Sequence, residues 1–114
     1  MDDLDVNLLR GTLDLLILKA LSWGPRHGYA VIEWIEQATD TAFLIGEGTL
    51  YPALHRLEGR GWITAEWGVS ENNRRARFYR LTRAGVKQIA REAREWENAT
   101  DIVGRFLAPK ATPR

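Results

Sequence analysis

The chain has 114 residues, and 45% of them are hydrophobic, which is enough for one globular domain with a single modest core. It contains no cysteine, which excludes disulfides and thiolate metal sites and fits a reducing cytoplasm. The formal net charge is only +1, but residues 74–94 carry eight basic residues and one acidic residue, an asymmetry typical of a protein that binds a polyanion.

Three helices are predicted in the first half of the chain. Apolar residues at helical spacing indicate a first helix over about residues 8–23. Gly24-Pro25 ends it, because proline disfavours helical geometry in the residue before it. A second helix is predicted over about residues 28–38 and a third over about residues 48–59.

We expect no membrane association and a cytoplasmic location. The longest apolar run, residues 13–21, is too short to span a bilayer and is interrupted by Asp14 and Lys19. The first residues include Asp2, Asp3 and Asp5, which give the wrong charge for a signal peptide.

The third predicted helix has two different faces. Leu50, Leu54 and Leu57 recur at i, i+4 and i+7, so they form one stripe that must be buried. Gly48 is the expected N-cap, and Pro52 is expected in the first turn, where a missing N–H costs little. The residues off or beside the buried stripe are Thr49, Tyr51, Pro52, His55 and Arg56. This combination is typical of a recognition helix, and we expect the DNA major groove to be its partner.

A β-hairpin follows the third helix. Alternating polarity predicts strands over residues 62–67 and 77–81, with Ile63, Ala65 and Trp67 on one face. Three arginines lie at the turn-rich tip between the strands or beside it: Arg74, Arg75 and Arg77. Since a planar guanidinium donates two parallel charge-assisted hydrogen bonds, these side chains are expected to contact DNA phosphates.

The last element is a long helix over about residues 83–107, with Thr82 as its N-cap. Its apolar residues follow a seven-residue alternation, and at about 1.5 Å per residue it is longer than a three-helix core can cover. We therefore expect a second copy of the chain to bury its far half, including Trp96, Val103 and Phe106. Additional apolar residues near the N-terminus are expected at the same interface: Leu4, Leu8 and Leu9.

The order of elements predicts a mainly α fold with a small β-hairpin, namely a winged helix-turn-helix with a long C-terminal dimerisation helix. We expect residues 8–82 to form the DNA-binding domain, residues 83–107 the dimerisation helix and residues 108–114 a flexible tail. A two-fold homodimer would present two recognition helices to a pseudo-palindromic site in double-stranded DNA.

Four motifs resemble those of the PadR family of bacterial transcriptional regulators. They are RGTL at residues 10–13, HGY at 27–29, GTLYPAL at 48–54 with RLE at 56–58, and YRLTRAG at 79–85. The likeness extends over about residues 8–107 and implies a winged helix that dimerises through its C-terminal helix and usually represses. The single C-terminal helix is similar to that of the short subfamily, some members of which bind flat aromatic drugs between paired tryptophans. By this resemblance Trp96, with Ala93 beside it, could bind a small aromatic effector.

Some of these residues have a second interpretation. Tyr29 either contacts a phosphate or packs the second helix against the third. Trp96 either stacks on a ligand or belongs to the core of the dimer interface, and the second is the more common role of such a residue. Basic residues of the long helix are expected to be solvated rather than bound to DNA: Lys87, Arg91 and Arg94.

No enzyme activity, metal or cofactor is expected. The sequence shows no carboxylate pair, no nucleophile with a neighbouring base and no glycine-rich phosphate loop. His27 and His55 lack the cysteine or carboxylate partners of a metal site. The alternative function is a winged helix that binds RNA or protein through the third helix, which a specific palindromic DNA footprint would exclude.

Overall fold

The structure, a computed structural model, describes residues 6–108, with the side chains of residues 11–108. In chain order the elements are α1 (Val6–Ala20), a short 3-10 helix (Leu21–Trp23), β1 (Arg26–His27), α2 (Gly28–Ala38), α3 (Glu47–Gly59), β2 (Ile63–Val69), β3 (Arg75–Leu81) and α4 (Arg83–Leu107). The fold is therefore mainly α with a small antiparallel sheet, as predicted. Residues 109–114 of the predicted tail, Leu4, and the side chains of Leu8 and Leu9 lie outside the described residues.

The core lies between the first three helices and the sheet. Leu50, Leu54 and Leu57 are completely buried, which confirms the stripe predicted for α3. Burial of a leucine side chain stabilises a fold by about 1.5–3 kcal/mol, so this stripe fixes which face of α3 turns inward. Ile63 of β2 and Tyr79 of β3 join the same core from the sheet.

The sheet has three strands in the order β1-β3-β2, whereas the sequence predicted a two-stranded hairpin. The additional strand is β1, which pairs with β3 through Arg26 opposite Tyr79 and His27 opposite Phe78. Two residues are too few to show a strand periodicity, so this strand could not be recognised from the sequence. Its pairing ties the start of α2 to the hairpin.

The start of α3 also differs from the prediction. The N-cap is Gly46 rather than Gly48, and the backbone N–H of Leu50 donates to the carbonyl of Gly46 over 3.0 Å. Pro52 is consequently in the second turn, and the expectation that it lies in the first turn was wrong. Because Pro52 is exposed, water can reach the backbone carbonyl that its missing N–H leaves without a partner.

Thr82 joins the sheet to α4 as predicted. Its side-chain oxygen accepts a hydrogen bond from the backbone N–H of Gly85 over 3.1 Å, which makes it the N-cap of the helix. The same hydroxyl donates to the carbonyl of Gly61 over 2.7 Å, and the backbone N–H of Thr82 donates to the carbonyl of Trp62 over 3.0 Å. The first turn of α4 is therefore fixed to the connection between α3 and β2.

Candidate nucleic-acid interface

α3 presents an exposed ridge on the side opposite its leucines. Successive residues of a helix are turned by about 100°, so Gly48, Pro52, His55 and Gly59 follow one line along the outer surface. All four are exposed, and we call this line the crest of α3. Thr49 is half-buried at one edge of the crest. His55 carries the one polar side chain on the crest itself.

An ion pair flanks each edge of the crest. On one edge the guanidinium of Arg56 contacts the carboxylate of Asp14 in α1. On the other edge Glu58 Oε2 lies 3.2 Å from Arg77 Nη2 of β3. The sequence predicted Arg56 and Arg77 as DNA contacts, and the structure places both guanidinium groups against carboxylates of the protein.

A groove of about 780 Å³ lies between α3, the start of α2 and the hairpin. It brings together five of the predicted DNA contacts: Tyr29, Tyr51, Arg74, Arg75 and Arg77. The remaining predicted contacts are on α3 but outside the lining of the groove: Thr49, Pro52, His55 and Arg56. Three carboxylates also line it, so the groove is not uniformly positive: Glu33, Glu47 and Glu71.

The ring of Tyr51 lines this groove and lies against Gly28 of α2. A Cβ atom on Gly28 would lie 2.7 Å from the phenol oxygen and 2.8 Å from the ring of Tyr51, so the aromatic ring fits there because Gly28 has no side chain. Burial, and then the negative charge of Glu47, raises the pKa of Tyr51 above its usual value. The phenol therefore remains a hydrogen-bond donor at neutral pH, while Tyr29 beside it is more than half exposed.

His27 connects α2 to the hairpin, a role that the sequence analysis missed. Its Nδ1 accepts a hydrogen bond from the backbone N–H of Ala30 over 3.2 Å, so it is the N-cap of α2. Its ring meets Phe78 edge-on at 5.5 Å between centroids, and Nε2 lies 3.6 Å from a carboxylate oxygen of Glu71 at the hairpin tip. Histidine is an uncommon N-cap, and its two partners in the hairpin, Phe78 and Glu71, are more than 40 residues away, so no local signal indicated this role.

The hairpin tip combines exposed arginines with an exposed tryptophan. Arg74 and Arg75 are both exposed, and the Arg75 guanidinium lies 4.5 Å from the ring centroid of Trp67. Trp67 has the same strand orientation as Ile63 and Ala65, as predicted, but it lies beyond the core and is 60% exposed. Trp67 lines the groove, although the sequence did not predict it as a site residue. The sequence feature that could have indicated this role is its position at the end of a predicted strand, next to the turn.

Comparison with known proteins assigns the chain and its fold to a family. Residues 17–91 match the model of the Transcriptional regulator PadR-like family. The chain belongs to this family. It is similar to a transcriptional regulator of Clostridium thermocellum, with 34% identity and a TM-score of 0.82 over 90% of this chain and 99% of that one. A PadR family transcriptional regulator of Eggerthella lenta has 31% identity and a TM-score of 0.76 over 92% of this chain and 89% of that one. A transcriptional regulator of Mycobacterium tuberculosis is 36% identical over 73 residues, which are 62% of this chain and 67% of that protein.

This PadR-like protein is accordingly a DNA-binding transcriptional regulator, and its family is not a family of enzymes. None of the helices within residues 6–108 is both long enough and apolar enough to cross a membrane.

The far half of α4 in this PadR-like chain exposes a row of large apolar side chains. Trp96 and Val103 are each 53% exposed, and Phe106 is 81% exposed. Ala93 is half-buried one turn before Trp96. Asp101 and Arg105 form an exposed ion pair of 3.0 Å on the same half of the helix. The four residues predicted at the interface therefore all lie on α4, which does not line the groove: Ala93, Trp96, Val103 and Phe106.

Proposed function

We propose that this PadR-like regulator is a repressor that binds a pseudo-palindromic operator as a homodimer. The observation that carries the proposal is the exposed crest of α3 beside a groove with arginines at its rim. An α-helix of this diameter fits the major groove of B-DNA, and the exposed hairpin then lies along the neighbouring backbone. Such a regulator acts where the chromosome is, so we propose a cytoplasmic location.

The proposed contacts divide between positioning and sequence reading. Arg74 and Arg75 are exposed at the hairpin tip and would bind phosphates, with Tyr29 at the start of α2 as a further backbone contact. Thr49, Tyr51, Pro52 and His55 would meet the base edges or the sugars next to them. Arg56 and Arg77 hold ion pairs with protein carboxylates and are not among these proposed contacts.

The exposed face of α4 supports the proposed homodimer. At about 1.5 Å per residue the 25 residues of α4 extend about 37 Å. A row of apolar side chains as exposed as Trp96, Val103 and Phe106 is unusual for a monomer and typical of a subunit interface. A two-fold interface on this helix would relate two α3 crests by the dimer axis, which is the symmetry of two half-sites in an inverted repeat.

Selection of duplexes from a random-sequence library by the purified protein tests the proposal. We expect enrichment of an inverted repeat whose half-sites are separated by about one or more helical turns, protected from cleavage as a dimer footprint. Transcription from a promoter that carries the selected site should fall when the protein is added. No enrichment over random sequence, or release of the selected duplex by an equal concentration of unrelated RNA, would contradict it.

We further propose that a planar aromatic molecule releases the repressor from its operator. Two Trp96 rings related by the dimer axis could sandwich such a molecule, and each offset-stacked face contributes about 0.5–1.5 kcal/mol beyond area burial. A ligand regulates only if it binds the DNA-competent and the incompetent dimer with different affinity. Titration of planar cationic dyes into wild type and Trp96→Leu, with operator release measured in parallel, tests this step. Equal dye binding by the two proteins would assign Trp96 to the interface core.

A further inference from the structure

The recognition helix α3 is bracketed by two ion pairs that reach different elements. Arg56 and Glu58 are two residues apart, so their side chains leave the helix about 200° from each other around its axis. Arg56 contacts Asp14 of α1, and Glu58 contacts Arg77 of β3. The crest of α3 lies between the two pairs.

The partner of Arg56 is held firmly in place. The side chain of Asp14 is 13% exposed, and its neighbour Leu13 and the next turn of α1 at Ile17 and Leu18 belong to the core. A charge-assisted pair with a half-buried arginine is directional and stronger than an exposed one, because water competes with it less. Breaking one partner of such a pair also leaves the other charge without compensation.

The ion pair on the opposite edge of the crest is more exposed, but it also joins α3 to a neighbouring element. Glu58 has 30% and Arg77 43% of its side chain exposed, and the two atoms are 3.2 Å apart. Arg77 extends from β3 next to Tyr79, which is buried in the core, so the strand that carries the cation is fixed. The leucine stripe sets which face of α3 turns inward, and these two directional contacts limit the small rotations about the helix axis that apolar packing still allows.

We propose that the ion pairs Asp14–Arg56 and Glu58–Arg77 fix the rotation of α3 about its own axis, so that Arg56 and Arg77 are positioning residues rather than DNA contacts. This inference rests on the proposed operator binding by α3 and names the residues that aim its crest. Both acidic residues thereby increase affinity for the operator, although each carries the same charge as DNA.

Removal of an acidic residue shows whether the ion pairs position α3 or act only through their charge, because the two roles predict opposite changes in DNA affinity. Asp14→Asn and Glu58→Gln each remove one negative charge, which by itself leaves DNA binding unchanged or makes it tighter. We expect both variants to bind the duplex selected by wild type about tenfold more weakly, with no weakening on a scrambled duplex. Glu66→Gln is the matched control. Glu66 pairs with Arg80 over 3.0 Å on the opposite face of the same hairpin, and we expect this variant to bind both duplexes at least as tightly as wild type. Tighter binding of the selected duplex by Asp14→Asn and Glu58→Gln would overturn the proposal.

The arginine side of the pair is tested by the salt dependence of binding. A variant that no longer binds one of the phosphates has a slope of log affinity against log salt that is lower by roughly one unit. Arg56→Gln is expected to weaken binding of the selected duplex with an unchanged slope, and Asp14→Asn combined with Arg56→Gln should bind no more weakly than Arg56→Gln alone. Arg56→Lys keeps a cation next to Asp14 and should recover most of the affinity. A lower slope, or additive effects in the double variant, would show that Arg56 contacts DNA.

Hydrogen exchange of the free protein gives an answer that does not depend on DNA. We expect the backbone amides of α3 to exchange faster in Asp14→Asn than in wild type, and Glu66→Gln to match wild type there. Unchanged exchange in α3 would overturn the positioning role. If wild type selects no duplex, the proposed function fails while this measurement still decides whether the pairs hold α3.

Discussion

Arg74 and Arg75 have the simplest predicted role among the proposed contacts, because both are exposed at the hairpin tip and neither holds an ion pair among the described residues. Replacement of both by alanine should weaken binding to every DNA sequence by a similar factor. The salt dependence should become flatter by roughly one unit of slope for each phosphate that the variant no longer binds. The measurement is a binding titration on selected and scrambled duplexes over a range of salt concentrations. An unchanged slope would place the hairpin outside the DNA interface.

Gly28 tests whether the placement of Tyr51 matters for DNA binding. An added methyl group would overlap the phenol ring of Tyr51, which can swing away because it is the end of a side chain. We expect Gly28→Ala to change the stability of the fold little and to weaken binding of the selected duplex. Gly11→Ala is the control, because a Cβ atom there meets nothing within 4 Å and the residue lies outside the groove, the crest and α4. Normal operator binding by Gly28→Ala would show that the position of Tyr51 is unimportant.

At the scale of elements, the junction of α4 with the sheet leaves no room for a side chain at Gly85. A Cβ atom on Gly85 would lie 2.1 Å from the backbone oxygen of Trp62, and no backbone atom can yield as a side-chain end does. Gly85→Ala should therefore destabilise the protein by about 1–3 kcal/mol. Gly11→Ala, in open space within α1, should stabilise it by about 0.5–1 kcal/mol. Denaturant unfolding at one fixed protein concentration measures both, and equal effects would contradict the close approach at Gly85.

We expect the carboxyl of Glu92, which lies on α4 near Asp14 of α1, to make the stability of the protein depend on pH. Burial raises its pKa, the negative charges of Asp14 and Glu95 add to this, and the hydrogen bond from Gln88 and the charge of Arg60 oppose it. Its Oε2 atom is buried without a hydrogen-bond partner among the described residues.

Because its folded-state pKa is above the unfolded value, the ionised form of Glu92 costs stability as pH rises through the window between the two values. Glu92→Gln should therefore be more stable than wild type at neutral pH. The difference should disappear as pH falls below the unfolded pKa, and unfolding curves at neutral and acidic pH check it. A difference that does not vary with pH would rule out ionisation as its cause.

Elements with a strong local signal were predicted from the sequence, and contacts between distant residues were not. The leucine stripe of α3, the cap at Thr82 and the length of α4 follow from periodicity and capping within a few residues. β1 has no periodicity of its own and is a strand only because β3 pairs with it. The candidate site shows the same division. The exposed tip arginines were predicted from the turn around them, whereas the ion pair between Asp14 and Arg56 joins residues 42 positions apart.

At the scale of the whole molecule, the proposed dimer makes DNA binding depend on protein concentration. Phe106 is the most exposed of the large apolar side chains on α4, so Phe106→Glu should disrupt a homodimer without unfolding the winged-helix part of the chain. Sedimentation should show a monomer, and affinity for a palindromic duplex should approach that for a single half-site. Lys87→Gln, on the first half of the same helix, lowers the net charge by the same one unit and controls for it. A dimer that persists in Phe106→Glu would place the interface elsewhere.

The joint at Thr82 has a mechanical consequence for such a dimer. Thr82 is the one residue between β3 and α4. Its hydrogen bonds to the carbonyls of Gly61 and Trp62 fix the orientation of α4 relative to the sheet. We therefore expect α4 and the winged-helix part of the chain to move together as one rigid body. The proposed interface runs from Ala93 to Phe106, so its middle lies about 25 Å from the start of α4 at about 1.5 Å per residue. A rotation of about 10° at the crossing of two such helices moves the start of each helix by about 4 Å, slightly more than the rise of one base pair. A small change in the crossing angle is therefore enough to bring the two winged-helix parts of the dimer into or out of register with their half-sites.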